Sequence, residues 1–256
     1  MRIRFDSIGD IAVIKGDCID SMKSNARVIL ERNPRLRVVL AKKSKVDGLF
    51  RLCEYIRIAG ENRTVTIHRE NGCIFHIDLS LVHFSPRLAH ERMLVAMKVK
   101  DGEIVLNMFG GVGTFSIEIA KMVTAKVFTV DINPDAVRLC LTNILSNYVR
   151  GGVTTILADA KESLSIFPTH TFDRILLPLP GKSIDYLPLA IPYLKSNGVI
   201  HLYEFINVSR KEDPVEGVLR KVSLILGRQK MLTYEGRIVK SVGPRRYMVS
   251  LEIVVE

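Results

Sequence analysis

A chain of 256 residues that is 47% hydrophobic can bury one large core or two smaller ones. No stretch reaches the ~18 uninterrupted apolar residues of a membrane span. A net charge of +10, from 37 Lys and Arg against 27 Asp and Glu, suits a polyanionic partner, with nucleic acid the leading candidate. Four scattered cysteines (Cys18, Cys53, Cys73, Cys140) form no C-x-x-C pair, so neither a metal site nor a disulfide framework is expected, and buried or half-buried thiols are. Met1-Arg2-Ile3-Arg4-Phe5-Asp6 lacks the apolar run of a secretory signal, which predicts a cytoplasmic protein.

In chain order, residues 11–14 read as a strand and 17–32 as an amphipathic helix opened by an Asp17 cap and closed before Asn33-Pro34. Short strand-like pieces follow over 36–40, 50–58 and 64–68. Glu70-Asn71-Gly72 leads into 73–79, and Asn-Gly between alternating runs marks a hairpin. This half predicts a small α+β domain on an antiparallel sheet, residues 1–85, punctuated by Arg35, Arg37, Lys42, Lys43, Lys45, Arg51, Arg57, Arg63 and Arg69. Ser85 before Pro86 predicts an N-cap and a helix running to about Lys100. Arg87 and Glu91, four apart, share one helix face, where an ordinary ion pair is the plain expectation.

From residue 103 the rhythm becomes βα. Strands are expected over 104–106, 127–130, 153–157, 174–177 and 198–205, with helices from Thr114, Pro134 and Ser183 and another over 213–227. Two strands, 234–240 and 247–255, meet at Gly243-Pro244. The pattern predicts a Rossmann-like α/β domain, residues 86–256, with a mostly parallel seven-stranded sheet and one antiparallel edge.

Ligands of open parallel sheets bind at the carboxyl ends of the strands. Those ends here are Met108-Phe109-Gly110-Gly111-Val112-Gly113, Asp131-Ile132, Asp159-Ala160 and Pro178-Leu179-Pro180-Gly181. The glycines let backbone approach a nucleotide-like ligand. Asp131 is placed to accept from ribose hydroxyls, Asp159 from an adenine amino group, and the Ala160 amide to meet a ring nitrogen. Each acidic residue alone reads as a helix cap or turn rather than a ligand contact. Together they predict an adenosine-containing cofactor.

These segments, with Asn143-Ile144, resemble class I S-adenosylmethionine-dependent methyltransferases. Phe84-Ser85-Pro86-Arg87-Leu88 with Glu91-Arg92, Gly48-Leu49-Phe50-Arg51, Ala59-Gly60-Glu61, Glu70-Asn71-Gly72 and Val242-Gly243-Pro244-Arg245 are similar to the archaeal and eukaryotic tRNA (guanine-37-N1)-methyltransferases. The chain departs from that family at Asn107 (usually Asp), Thr114 (usually Pro) and Pro178 (usually Asn). Proline at the last position resembles the archaeal subgroup linked to wyosine biosynthesis, some members of which also methylate a carbon of a tricyclic guanine derivative. The family's N-terminal module that grips the outer corner of tRNA has no counterpart in these residues.

The resemblance implies S-adenosylmethionine as cofactor and the tRNA anticodon loop as partner, with no membrane, no metal and a monomeric enzyme. It implies Glu91 as the base for the guanine N1 proton. Arg51 would face O6 or the adjoining phosphate, Arg87 would help place the nucleotide and Arg92 would lie near the cofactor. Phe109, Gly110, Gly111, Gly113, Asp131, Ile132, Asp159, Ala160 and Pro178 would surround the cofactor. Two rivals stand beside this reading: an aminocarboxypropyl transferase using the same cofactor, and a non-catalytic RNA-binding module.

Overall fold

The computed structural model describes residues 3–15, 18–44, 46–227 and 231–256; the expected Asp17 cap and Lys45 lie outside them. The first unit is a sheet of β1 (Asp6–Ile8), β2 (Ile11–Ile14), β3 (Val38–Lys42) and β4 (Tyr55–Gly60), in that order. Helix α1 (Ile19–Arg32) turns Met22, Ala26 and Ile29 onto Ala12, Ile14 and Val39, so β2 and β3 are covered and apolar on both faces. Because α1 crosses over between them, β2 and β3 pair in parallel, and the sheet is mixed rather than antiparallel throughout. The strand expected over 50–58 starts only at Tyr55. Before it, Asp47 and Leu52 close a turn with Gly48 at φ +74 and Arg51 at φ +55.

Strands β5 (Val65–Glu70) and β6 (Cys73–Asp78) form the hairpin marked by Asn71-Gly72, both residues at positive φ. Phe75 and Ile77 of β6 share a core with Ile8, Val13 and Leu40 on one side and Val112, Ile117 and Leu139 on the other. The hairpin is therefore the layer between the small sheet and the large one.

A 3-10 turn, Pro86–Leu88, opens α2 (Ala89–Lys98). The Ser85 side chain makes no cap; its carbonyl instead accepts from Leu88 N–H and from Arg92 Nη2. The second unit then alternates β7 (Ile104–Asn107), α3 (Thr114–Met122), β8 (Lys126–Asp131), α4 (Pro134–Leu145), β9 (Gly152–Leu157), α5 (Ala160–Ser163), β10 (Phe172–Leu177), α6 (Ser183–Ala190), β11 (Leu194–Asn207) and α7 (Pro214–Leu226), and closes with β12 (Met231–Gly243) and β13 (Arg246–Val255). Sheet order is β12-β13-β11-β10-β7-β8-β9. The terminal hairpin makes one edge of the sheet antiparallel, as the sequence pattern suggested. β13, the more buried of the last two strands, pairs antiparallel with both β11 and β12, and β12 takes the edge. Among the described residues no helix is long and apolar enough to cross a membrane. Cys53, Cys73 and Cys140 are buried thiols, whereas Cys18 is exposed.

Candidate active site

Strand β7 ends at the fully buried Asn107, whose Oδ1 accepts from Phe109 N–H at 3.3 Å and whose Nδ2 donates to Ser116 Oγ at 3.1 Å. An amide can donate to that hydroxyl where a carboxylate can only accept. Beyond it, Gly110 packs so closely on β8 that a Cβ would stand 2.0 Å from Thr129 Oγ1. Gly111, at φ +55, has nothing within 4 Å of its Cβ position, and Gly113, at φ +87, is the N-cap of α3. The loop thus presents bare backbone to a cavity of about 840 Å³ between the two units.

Asp131, at the tip of β8, accepts from Gly111 N–H at 2.7 Å and Asn133 N–H at 2.9 Å. Burial raises its carboxyl pKa, and those N–H groups pull it partly back. Asn133 itself caps α4 by accepting from Asp135 N–H. Asp159 caps α5, accepting from Lys161 N–H at 2.8 Å through Oδ1 only. Capping and facing the cavity are compatible here. Asp131, Ile132, Asp159 and Ala160 all line it, with Phe109 held edge-to-face on Tyr186 at 4.8 Å.

This end suits an adenosine-type cofactor: a bare glycine turn, a carboxylate at the second strand tip and another at the third. Among the described residues no group of His, Cys, Asp or Glu could hold a metal ion.

The opposite end is cationic. Arg51 donates through Nη1 to the Pro180 carbonyl at 3.3 Å and feels Glu204, which accepts from Gly181 N–H at 2.7 Å and so braces the Pro178–Gly181 turn. His83 opens onto the cavity but is crowded by protein. The ring is exposed to that cavity, and the surrounding protein, then the charges of Arg51, Lys42 and Lys240, lower its pKa. Burial together with the neighbouring Arg87, Lys42 and Lys15 likewise lowers the Lys240 pKa. Arg87 lines the cavity mouth and donates to Asp6 at 2.7 Å, so the expected pair with Glu91 does not form.

All the expected site residues line this cavity except Gly113 and Glu91. Glu91 is 4% exposed, and Arg237 of β12 holds both its oxygens, Nε to Oε1 at 3.1 Å and Nη2 to Oε2 at 2.6 Å. Arg92 lines the cavity with its guanidinium already occupied. It pairs with Glu70 at 2.6 Å, stacks over Phe84 at 5.4 Å and approaches Glu118 at 3.6 Å. Sequence reasoning missed His83, Lys240, Glu204 and Arg237. His83 directly precedes Phe84-Ser85-Pro86 and was within reach of that motif. Arg237 carries no local signal at all.

A family model described as the TRM5/TYW2 methyltransferase domain matches residues 66–225. The tRNA (guanine(37)-N(1))-methyltransferase Trm5b of Pyrococcus abyssi is 38% identical over 98% of this chain and 74% of its own. The tRNA 4-demethylwyosine(37)-methyltransferase Taw21 of Saccharolobus solfataricus is 34% identical over 98% of this chain and 93% of its own. Among solved structures, the complex of aTrm5 with tRNALeu superposes at TM-score 0.84 with 30% identity, covering all of this chain and 72% of that one. The chain therefore belongs to the TRM5/TYW2 methyltransferase family, on a class I fold whose cofactor is S-adenosylmethionine.

Proposed function

We propose that this protein is a tRNA methyltransferase acting on N1 of guanosine 37 in the anticodon loop. The observation that carries this reading is the two-ended cavity: a glycine turn with Asp131 and Asp159 at one end, and Arg51, Lys42, Lys240 and Arg87 at the other. When bound, S-adenosylmethionine supplies an electrophilic methyl group on a sulfonium. Gly110, Gly111 and Gly113 shape the turn against it, Asp131 and Ile132 take its ribose, Asp159 and Ala160 its adenine, and Phe109, Arg92 and Pro178 the surrounding wall.

Guanine N1 is protonated at neutral pH, so the base must lose a proton as N1 is alkylated. Glu91 takes that proton. Arg51 stabilises the charge that develops on O6, and Arg87 holds the nucleotide or its phosphate. The target base leaves its stack to reach the cavity, as unstacked loop bases do in RNA recognition. Pro178, which has no N–H, forms the wall without donating to the base. Residues 1–85 form the substrate-side module and 86–256 the methyltransferase module of a monomeric cytoplasmic enzyme.

Nucleosides from tRNA incubated with enzyme and S-adenosylmethionine should contain 1-methylguanosine by mass spectrometry. An aminocarboxypropyl adduct would replace this reading with its rival, and no adduct would leave only RNA binding. Supplying tRNA that carries the tricyclic intermediate tests carbon methylation in the same assay. Glu91→Gln should cut methyl transfer by roughly a hundredfold or more and leave cofactor affinity nearly intact. A wild-type rate would remove Glu91 from the mechanism.

A further inference from the structure

Strand register explains how a buried carboxylate can serve the cavity. Phe205, Met248 and Lys240 stand side by side across β11, β13 and β12, and all three line the cavity. The adjoining row toward α2 is Tyr203, Ser250 and Arg237. Two residues along a strand advance about 7 Å, so this second row sits one ladder step behind the cavity wall. Glu91 rests on that row, its two oxygens on Arg237. The Tyr203 hydroxyl is buried and makes no hydrogen bond of normal geometry, although Glu91 and Ser250 are its neighbours. Its ring lies 5.8 Å from that of Phe115, itself a cavity residue.

We propose that Arg237 is the positioning residue of the methyl transfer, holding Glu91 as a carboxylate within one side-chain swing of the cavity, with the Tyr203 hydroxyl ready to donate to it. This rests on the reading of Glu91 as the base. A carboxylate buried without a counterion takes up a proton and can no longer act as one. The bidentate fork fixes the direction of both oxygens, and one of them leaves the fork when the N1 proton becomes available. The proton then passes from N1 to that oxygen as N1 takes the methyl group of the sulfonium, whose carbon–sulfur bond breaks to leave a neutral thioether. Arg237 keeps its other hydrogen bond throughout and does not touch the base.

The experiment is single-turnover methyl transfer to a tRNA transcript between about pH 6 and pH 8.5, with Arg237→Met, Arg237→Lys, Glu91→Gln and the Arg237→Met/Glu91→Gln pair. In Arg237→Met, which leaves a buried carboxylate without its counterion, the loss should be about tenfold or more at the acid end and shrink as pH rises. Arg237→Lys should recover part of it. The double variant should be no slower than Glu91→Gln alone, because both changes remove one function. Calorimetric affinity for S-adenosylmethionine and the melting temperature should stay near wild type in Arg237→Lys. A pH-independent loss, or losses that multiply in the double variant, would reduce Arg237 to a packing role. A wild-type rate in Glu91→Gln would instead overturn the base assignment on which the proposal rests.

Discussion

Two carboxylates share one arginine beneath the cavity. Glu70 and Glu118 are both buried against Arg92, with Oε1 of Glu70 at 2.6 Å and Oε1 of Glu118 at 3.6 Å from its Nε. One guanidinium cannot neutralise both, so the pair retains a proton. Burial, joined by the charge of Glu70, pushes the Glu118 pKa up to about 8. On Glu70 burial acts in the same direction, but the hydrogen bonds from His68 and Arg92 outweigh it and hold that carboxyl low. Glu118 is therefore the protonated partner. Its folded pKa lies above its ordinary 4.5, so its contribution to stability is fully present below 4.5 and is lost as pH rises to about 8. Glu118→Gln mimics the protonated form and should flatten the fall in melting temperature between about pH 5 and pH 9. A slope equal to that of wild type would place the retained proton elsewhere. Arg51 offers a second test at this scale. Arg51→Ala should slow methyl transfer more than it weakens tRNA binding, and equal losses would make it a phosphate anchor. The cavity residues at the strand tips were legible because each ends an apolar run. The Glu91 partner was not, since Arg237 lies 146 residues away and the only cation within helical reach was Arg87.

Among the elements, the glycine turn separates two costs that the sequence shows as one motif. Gly111→Ala meets open space and pays only for its φ of +55, roughly 1–2 kcal/mol. Gly110→Ala drives a methyl group into Thr129 on β8 and should lower the melting temperature more, together with S-adenosylmethionine affinity. Thermal melts of the two variants check the order, and the reverse order would mean that Thr129 yields easily. The βα rhythm was readable because buried parallel strands are near-continuous apolar runs. β1 was not foreseen, being three residues of mixed character, and neither was the inward place of β13. Which strand of a terminal hairpin faces the sheet depends on how well each one buries, and alternation within either strand leaves that open.

At the level of the whole molecule, Asn143 joins elements that the sequence keeps far apart. Fully buried on α4, it accepts from His76 N–H at 2.6 Å and donates to the Val112 carbonyl at 3.0 Å, tying the hairpin to the glycine turn. Asn143→Ala strands both backbone groups and should cost roughly 2–4 kcal/mol in urea unfolding, given ~1–3 kcal/mol for each buried polar group left unpaired. Because the hairpin, the small sheet and α3 share one core, calorimetry on the wild type should show a single transition. Two separated transitions would mean that this shared core does not couple the units.

The inward place of β13 also sets an order of assembly. Every residue proposed for the cofactor precedes β11 in the chain, whereas Arg237, Lys240 and Met248 arrive only with the last two strands. During synthesis the donor half of the cavity leaves the ribosome first, and the seat of Glu91 stays incomplete until β13 has slotted between β11 and β12. The seat of the proposed base is therefore the last part of the site to be completed.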